Sequence, residues 1–141
     1  LVLVLTAVLL VGVGCSGDDD DDEEAAAAVD LVAPEEFEER MGQRDAVVIN
    51  VHVPYEGEIA DTDLFIPFDR ITASNELPED RDLSLVVYCR SCNMSADATA
   101  DLIEMGYTDV TDLDGGMVAW EESGRGLTTD PARSEAAATG G

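Results

Sequence analysis

Lysine is absent from this chain, and its seven arginines stand against 32 acidic side chains, for a formal charge of −25. The acidity is not confined to one tail: Asp30 to Arg125 carries 23 acidic and 6 basic residues. So few cations exclude a partner bound through a phosphate backbone, and no nucleic-acid partner is expected. An acidic surface of this kind is ordinarily a solvated one. Histidine occurs once, at His52, and cysteine three times, at Cys15, Cys89 and Cys92. Two neighbouring cysteines and one distant histidine do not make a recognisable ligand set, so neither a metal nor a cofactor is expected. A long apolar run is missing as well. Leu1 to Gly14 is the longest, and it is too short for an ordinary membrane span.

That run suits the apolar core of a secretory signal. It has no initiator Met and no basic segment before it, so it reads as the interior of a signal spanning 1–14. Small residues ahead of Cys15 resemble a bacterial lipoprotein signal, although Gly12 stands where such motifs usually have Leu. Cleavage before Cys15 and lipidation of Cys15 would anchor the protein to the cell membrane on its extracytoplasmic side. An uncleaved anchor is the alternative, with the same location. Residues 15–28 then form an acidic linker, whose seven consecutive carboxylates from Asp18 to Glu24 repel one another and cannot build a core. At the other end, Leu127 to Gly141 shows no periodicity and reads as a disordered tail.

Between them, 29–126 alternates strand and helix patterns, which argues for one α/β domain with a parallel sheet and helices on both faces. Strands are expected at Asp30–Val32, Ala46–Val51, Phe65–Pro67, Leu85–Tyr88 and Asp109–Leu113. Pro34 suits the first position of a helix that runs to Met41. Phe68 to Glu76 fits a helical turn, and Met117 to Ser123 a last helix after Gly115-Gly116.

The chemistry gathers at Leu83 to Tyr107. Leu85-Val86-Val87-Tyr88 has the pattern of a strand buried on both faces. Ala98, Leu102 and Met105 recur at helical spacing, with Ser95 as the expected N-cap and Gly106 as the stop. Cys89 thus falls at the carboxyl end of a strand and faces the N-terminus of a helix. In open parallel sheets ligands bind at that edge, and free N–H groups with the helix dipole favour a thiolate there. A buried structural cysteine is the competing reading.

Several pieces resemble a known family. Val86 to Ser91 (VVYCRS) and Leu113 to Trp120 (LDGGMVAW) match blocks of the single-domain rhodaneses, the second fitting an L-x-GG-x-x-x-W pattern. Asn50 to Ile59 (NVHVPYEGEI) stands where that family usually has DVR…E…GHI. The resemblance implies a rhodanese-like α/β fold with a five-stranded parallel sheet. It implies that Cys89 is the catalytic nucleophile, with Arg90, Ser91, Cys92, Asn93, Met94 and Ser95 forming the substrate-binding loop. The thiolate would take a sulfane sulfur from a small donor such as thiosulfate, hold it as a persulfide and pass it to a thiophilic acceptor such as a thiol.

The departures from the family pattern carry meaning. Asn50 and His52 replace the usual Asp and Arg, which removes an expected ion pair, and Glu58 replaces a usual His. His52 invites a general-base reading. Cys92 stands at a usual Gly, and Met94 where a cation or hydroxyl often assists an anionic substrate. Arg90 is left as the loop cation.

Two other classes compete. Cys89-x-x-Cys92 has the spacing of thiol–disulfide redox motifs, and Cys92 is a candidate resolving thiol. A rhodanese-like binding module with weak activity is the third reading. A cysteine-dependent phosphatase is disfavoured, because its C-x5-R motif needs Arg at the position of Ser95. No protein partner is legible. Gly115 and Gly116 are expected to shape a tight turn, and Trp120 to pack in the core or at its rim.

Overall fold

A computed structural model describes residues 27–139. The signal, the lipidation site at Cys15 and most of the acidic linker lie outside the described residues. The strands are β1 (Val29–Val32), β2 (Val47–Asn50), β3 (Leu64–Phe65), β4 (Ser84–Tyr88) and β5 (Asp109–Leu113). They form one parallel sheet in the order β1-β5-β4-β2-β3. The helices are α1 (Pro34–Met41), α2 (Asn93–Glu104), α3 (Gly116–Glu122) and α4 (Pro131–Thr139), and a 3-10 segment spans Phe68–Ala73. The expected α/β architecture is the observed one.

Central strand β4 is buried along its whole length, which its run of Leu85, Val86, Val87 and Tyr88 permits on both faces. Alternation along the strands divides the core. Ile49, Leu85, Val87 and Val110 face α2 and the 3-10 segment, packing on Ile71, Ala98, Leu102 and Tyr107. Val48, Val86, Tyr88 and Leu113 face α1 and α3, packing on Phe37, Met117 and Trp120. Phe37 sits edge-on to both Tyr88 and Trp120, with ring centroids 6.1 and 6.2 Å apart. Tyr88 closes its end of this layer: its hydroxyl meets Thr62 at 2.7 Å and accepts the Ile59 amide at 3.0 Å. Burial pushes the Tyr88 phenol well above its ordinary range.

Three expectations change. The third strand ends at Phe65, and Pro67 caps the 3-10 segment instead of extending the strand. Ser95 is not the N-cap of α2. The helix starts two residues earlier, with Cys92 as cap residue at φ +82°, so Ser95 is already inside the first turn and points inward. The tail is also structured over 127–139. Thr128 pairs with Glu58 across an antiparallel bridge, and α4 follows. Arg133 on α4 reaches Glu58 at 2.6 Å and the Asp63 carbonyl at 2.9 Å, while the Asp130 amide donates to the Tyr55 hydroxyl at 2.8 Å. A buried carboxylate needs a partner, and this one finds it in sequence that shows no hydrophobic period. Among the described residues no helix is long and apolar enough to cross a membrane.

Candidate active site

The site is built where β4 ends. Cys89 directly follows the strand, is 1% exposed, and is flanked by exposed Arg90 and Ser91. The left-handed conformation at Cys92 folds the loop back, so that the Cys92 amide donates to Cys89 Sγ at 2.9 Å. The Ser95 hydroxyl lies 3.3 Å from the same sulfur and donates to the Cys92 carbonyl at 3.2 Å. The amides that open α2 have no intrahelical acceptor. Sulfur therefore sits at the positive end of a 12-residue helix with an amide aimed at it. Cys89 and Cys92 are both free thiols, the second half-buried. Asn93 is exposed, and Met94 packs its side chain against the α2-side core.

Glycine carries the other wall. Gly116 (φ +58°) opens α3 so close to the loop that a Cβ there would meet the Cys89 carbonyl oxygen at 2.5 Å. That approach lets the Met117 amide donate to the Cys89 carbonyl at 2.9 Å and the Val118 amide to the Arg90 carbonyl at 3.1 Å. The LDGGMVAW stretch thus fixes the cysteine loop from behind, and Trp120 anchors α3 through packing and a 3.1 Å bond to the Gly126 carbonyl.

The neighbouring loop after β2 holds the residues that depart from the family pattern. Asn50 replaces charge by hydrogen bonding, donating to the Gly57 carbonyl at 3.1 Å and accepting the His52 amide at 3.0 Å. His52 Nε2 lies 2.5 Å from Glu56, and Glu56 also lies 3.9 Å from Arg90. His52 is thus tied to a carboxylate, and the partners of Cys89 Sγ are the Cys92 amide and the Ser95 hydroxyl. Glu56 thus stands between His52 and the exposed loop cation Arg90.

Two residues were not singled out from sequence. Glu56 joins the two loops. Asp112, on β5, is 2% exposed, and its Oδ1 has no hydrogen-bond partner among the described residues. Burial pushes that carboxyl up to about 6. The period-2 alternation that puts Val110 on the α2 face puts Asp112 there too, which is the signal that would have found it. Among the described residues, no three His, Cys, Asp or Glu side chains converge in a way that could hold a metal.

A parallel α/β sheet with a cysteine between its central strand and a helix N-terminus defines a class of protein, and comparison with known sequences specifies it. The family profile of the Rhodanese-like domain matches residues 18–123. The chain belongs to that family. It is 35% identical over 101 residues to a protein of Allochromatium vinosum named sulfurtransferase, covering 68% of this chain and 92% of that one. It is 30% identical over 95 residues to an uncharacterized protein of Synechocystis sp., covering 66% of this chain. The chain spans about half the length of the Synechocystis protein, which is covered to 52%. Among solved structures, a rhodanese-related protein of Thermoplasma volcanium superimposes with a TM-score of 0.60 at 26% identity, over 72% of this chain and 99% of that one.

Proposed function

We propose that this chain is a sulfurtransferase that carries sulfane sulfur on Cys89. The observation that carries the reading is the 2.9 Å amide contact to Cys89 Sγ at the N-terminus of α2, which favours sulfur in its anionic form. The Cys89 thiolate attacks the sulfane sulfur of a small donor such as thiosulfate. The donor's sulfur–sulfur bond breaks, sulfite leaves, and Cys89 keeps a persulfide whose outer sulfur faces the amides opening α2. A thiophilic acceptor, such as a thiol, then attacks that outer sulfur and returns the thiolate. The relative named sulfurtransferase supports this class of reaction. Arg90 is the one cation of the loop and has the Glu56 carboxylate 3.9 Å away, so an anionic donor meets little local attraction on a chain of charge −25. Slow turnover of thiosulfate is the expected outcome. A thiosulfate:cyanide assay on wild type and Cys89→Ser tests the reading. Turnover that Cys89→Ser abolishes supports it, and equal rates in both proteins refute it.

A second reading concerns Cys92, and the two free thiols held in one turn favour it. Cys92 would attack Cys89 Sγ of the persulfide, expel hydrosulfide and leave a Cys89–Cys92 disulfide that a two-electron reductant must reopen. Sulfide release from a loaded protein, compared between wild type and Cys92→Gly, decides it. Equal release with no disulfide in either removes the resolving role. The expected lipid on Cys15 would place this chemistry on the outer side of the cell membrane, and fractionation of the native protein against Cys15→Ala tests that placement.

A further inference from the structure

Two charged side chains beside Cys89 are left without a task by the sulfur-transfer steps. Asn50 is in register with Tyr88, and the Val51 amide donates to the Tyr88 carbonyl at 3.0 Å, so the chain leaves β2 and β4 side by side. The loop that holds Glu56 therefore departs next to the loop that holds Cys89 and Arg90. Glu56 comes within 3.9 Å of Arg90, and the two side chains are 44% and 46% exposed. That spacing is too long for a hydrogen bond, so the Arg90 guanidinium keeps its fork of donors for a ligand. Glu56 meets Arg90 and His52 through one oxygen, Oε2, which leaves Oε1 without a partner among the described residues. The bond to His52, a buried side chain, fixes the carboxylate in place. One positive and one negative group are thus presented together at the carboxyl edge of the sheet, where ligands of parallel sheets bind.

We infer that this pair recognises the zwitterionic head of a free amino-acid thiol, of which cysteine is the simplest, as the acceptor of the sulfur. The inference rests on Cys89 carrying the persulfide. An α-amino acid carries its ammonium and its carboxylate on one carbon. Set against the pair, the carboxylate accepts from Arg90 and the ammonium donates to Glu56, so each charge faces its opposite. A purely anionic thiol gains Arg90 and is repelled by Glu56; a purely cationic one meets the reverse. A zwitterion has no net charge, so the −25 of the chain does not repel it as it repels an anion. The acceptor's thiolate attacks the outer sulfur of the Cys89 persulfide. A new sulfur–sulfur bond forms, the persulfide's own bond breaks, and its electron pair returns to Cys89 as the thiolate. The acceptor leaves as an amino-acid persulfide, its outer sulfur keeping its proton, and no oxidant or reductant is consumed. A cysteine inside a polypeptide lacks both free charges and gains nothing from the pair.

The test follows loss of sulfur from persulfide-loaded protein, by intact mass, with L-cysteine, cysteamine and 3-mercaptopropionate as acceptors. Each rate is divided by that of the same thiol with a small free persulfide, which removes differences in intrinsic nucleophilicity. Wild type, Arg90→Gln, Glu56→Gln and Glu39→Gln are compared. Glu39 is exposed on α1 and controls for the loss of one negative charge. Wild type should favour cysteine over each partial analogue by about fivefold, the upper end for an exposed charge pair. Arg90→Gln should lose the preference over cysteamine, Glu56→Gln the preference over 3-mercaptopropionate, and Glu39→Gln should keep both. No preference in wild type, a preference that survives its variant, or an equal loss in Glu39→Gln overturns the inference. A protein that takes up no sulfur on Cys89 refutes the sulfurtransferase reading instead, and recognition of the head group is then read by protection. S-methylcysteine should slow iodoacetamide labelling of Cys89 in wild type and not in Arg90→Gln or Glu56→Gln. Equal labelling of wild type with and without it overturns the recognition as well.

Discussion

At the scale of single residues, the site is a cysteine defined by what surrounds it. One amide and one hydroxyl contact its sulfur, and on the adjoining strand β5 lies a carboxyl that the fold pays to bury. The cost has a sign that can be measured. Asp112 titrates at 3.8 in the open chain and at about 6 when folded. Between those values the folded protein holds a proton that the unfolded one has released, so raising pH through the window favours unfolding. Above it the cost is constant, on the order of 2–3 kcal/mol. Asp112→Asn should therefore gain stability over wild type as pH rises through that window, and the gap should close in more acid solution. Urea midpoints at a series of pH values check this; a gap that does not vary with pH contradicts it. The residue was hidden in the sequence because a strand of Val110, Thr111, Asp112 and Leu113 reads as half-exposed when its partner layers are unknown. Cys89 was legible because loop position and flanking elements are local properties. Ser95 was misread for the same local reason: a serine ahead of an apolar helical run looks like a cap. A left-handed cysteine three residues earlier had already started the helix.

At the scale of elements, α3 holds the cysteine loop in place through Gly116. A Cβ there would press to 2.5–2.6 Å on the Cys89 and Arg90 backbone at a φ that side chains rarely adopt. Gly116→Ala should cost about 2 kcal/mol or more, and should also lower the reactivity of Cys89, since the loop must move away from α3. Thermal unfolding together with alkylation rates measures both. A variant that loses neither means the approach of α3 is not needed. The Gly-Gly pair was readable as a turn from sequence, but the atoms it approaches belong to a loop 26 residues earlier, and only the folded sheet brings them together. Helix α4 shows the same limit. Its Arg133 serves Glu58 across 75 residues, and no periodicity in the tail announces that pairing.

At the scale of the whole molecule, the charge of −25 decides how substrates arrive. Self-repulsion opposes folding, and an anionic donor is repelled before it meets Arg90. Salt screens exposed charges beyond about 8 Å at physiological strength. Raising ionic strength should therefore increase kcat/KM for thiosulfate while kcat changes little. A fall with salt would mean that the Arg90 loop, despite Glu56, attracts the donor more than the rest of the chain repels it. The parallel sheet and the two apolar layers were legible because alternation and helical spacing are properties of composition along the chain. The charge pairing between distant loops was not.

The central claim is that Cys89 carries sulfur, and intact-mass spectrometry tests it most directly. Wild type, Cys89→Ser and Cys92→Ser are exposed to thiosulfate and to a small persulfide, then weighed before and after reductant. Wild type and Cys92→Ser should each gain the mass of one sulfur atom after at least one donor and lose it on reduction; in wild type a resolving Cys92 would replace that gain with a Cys89–Cys92 disulfide. Cys89→Ser should gain nothing. A sulfur that persists in Cys89→Ser, or that disappears only in Cys92→Ser, would contradict the account.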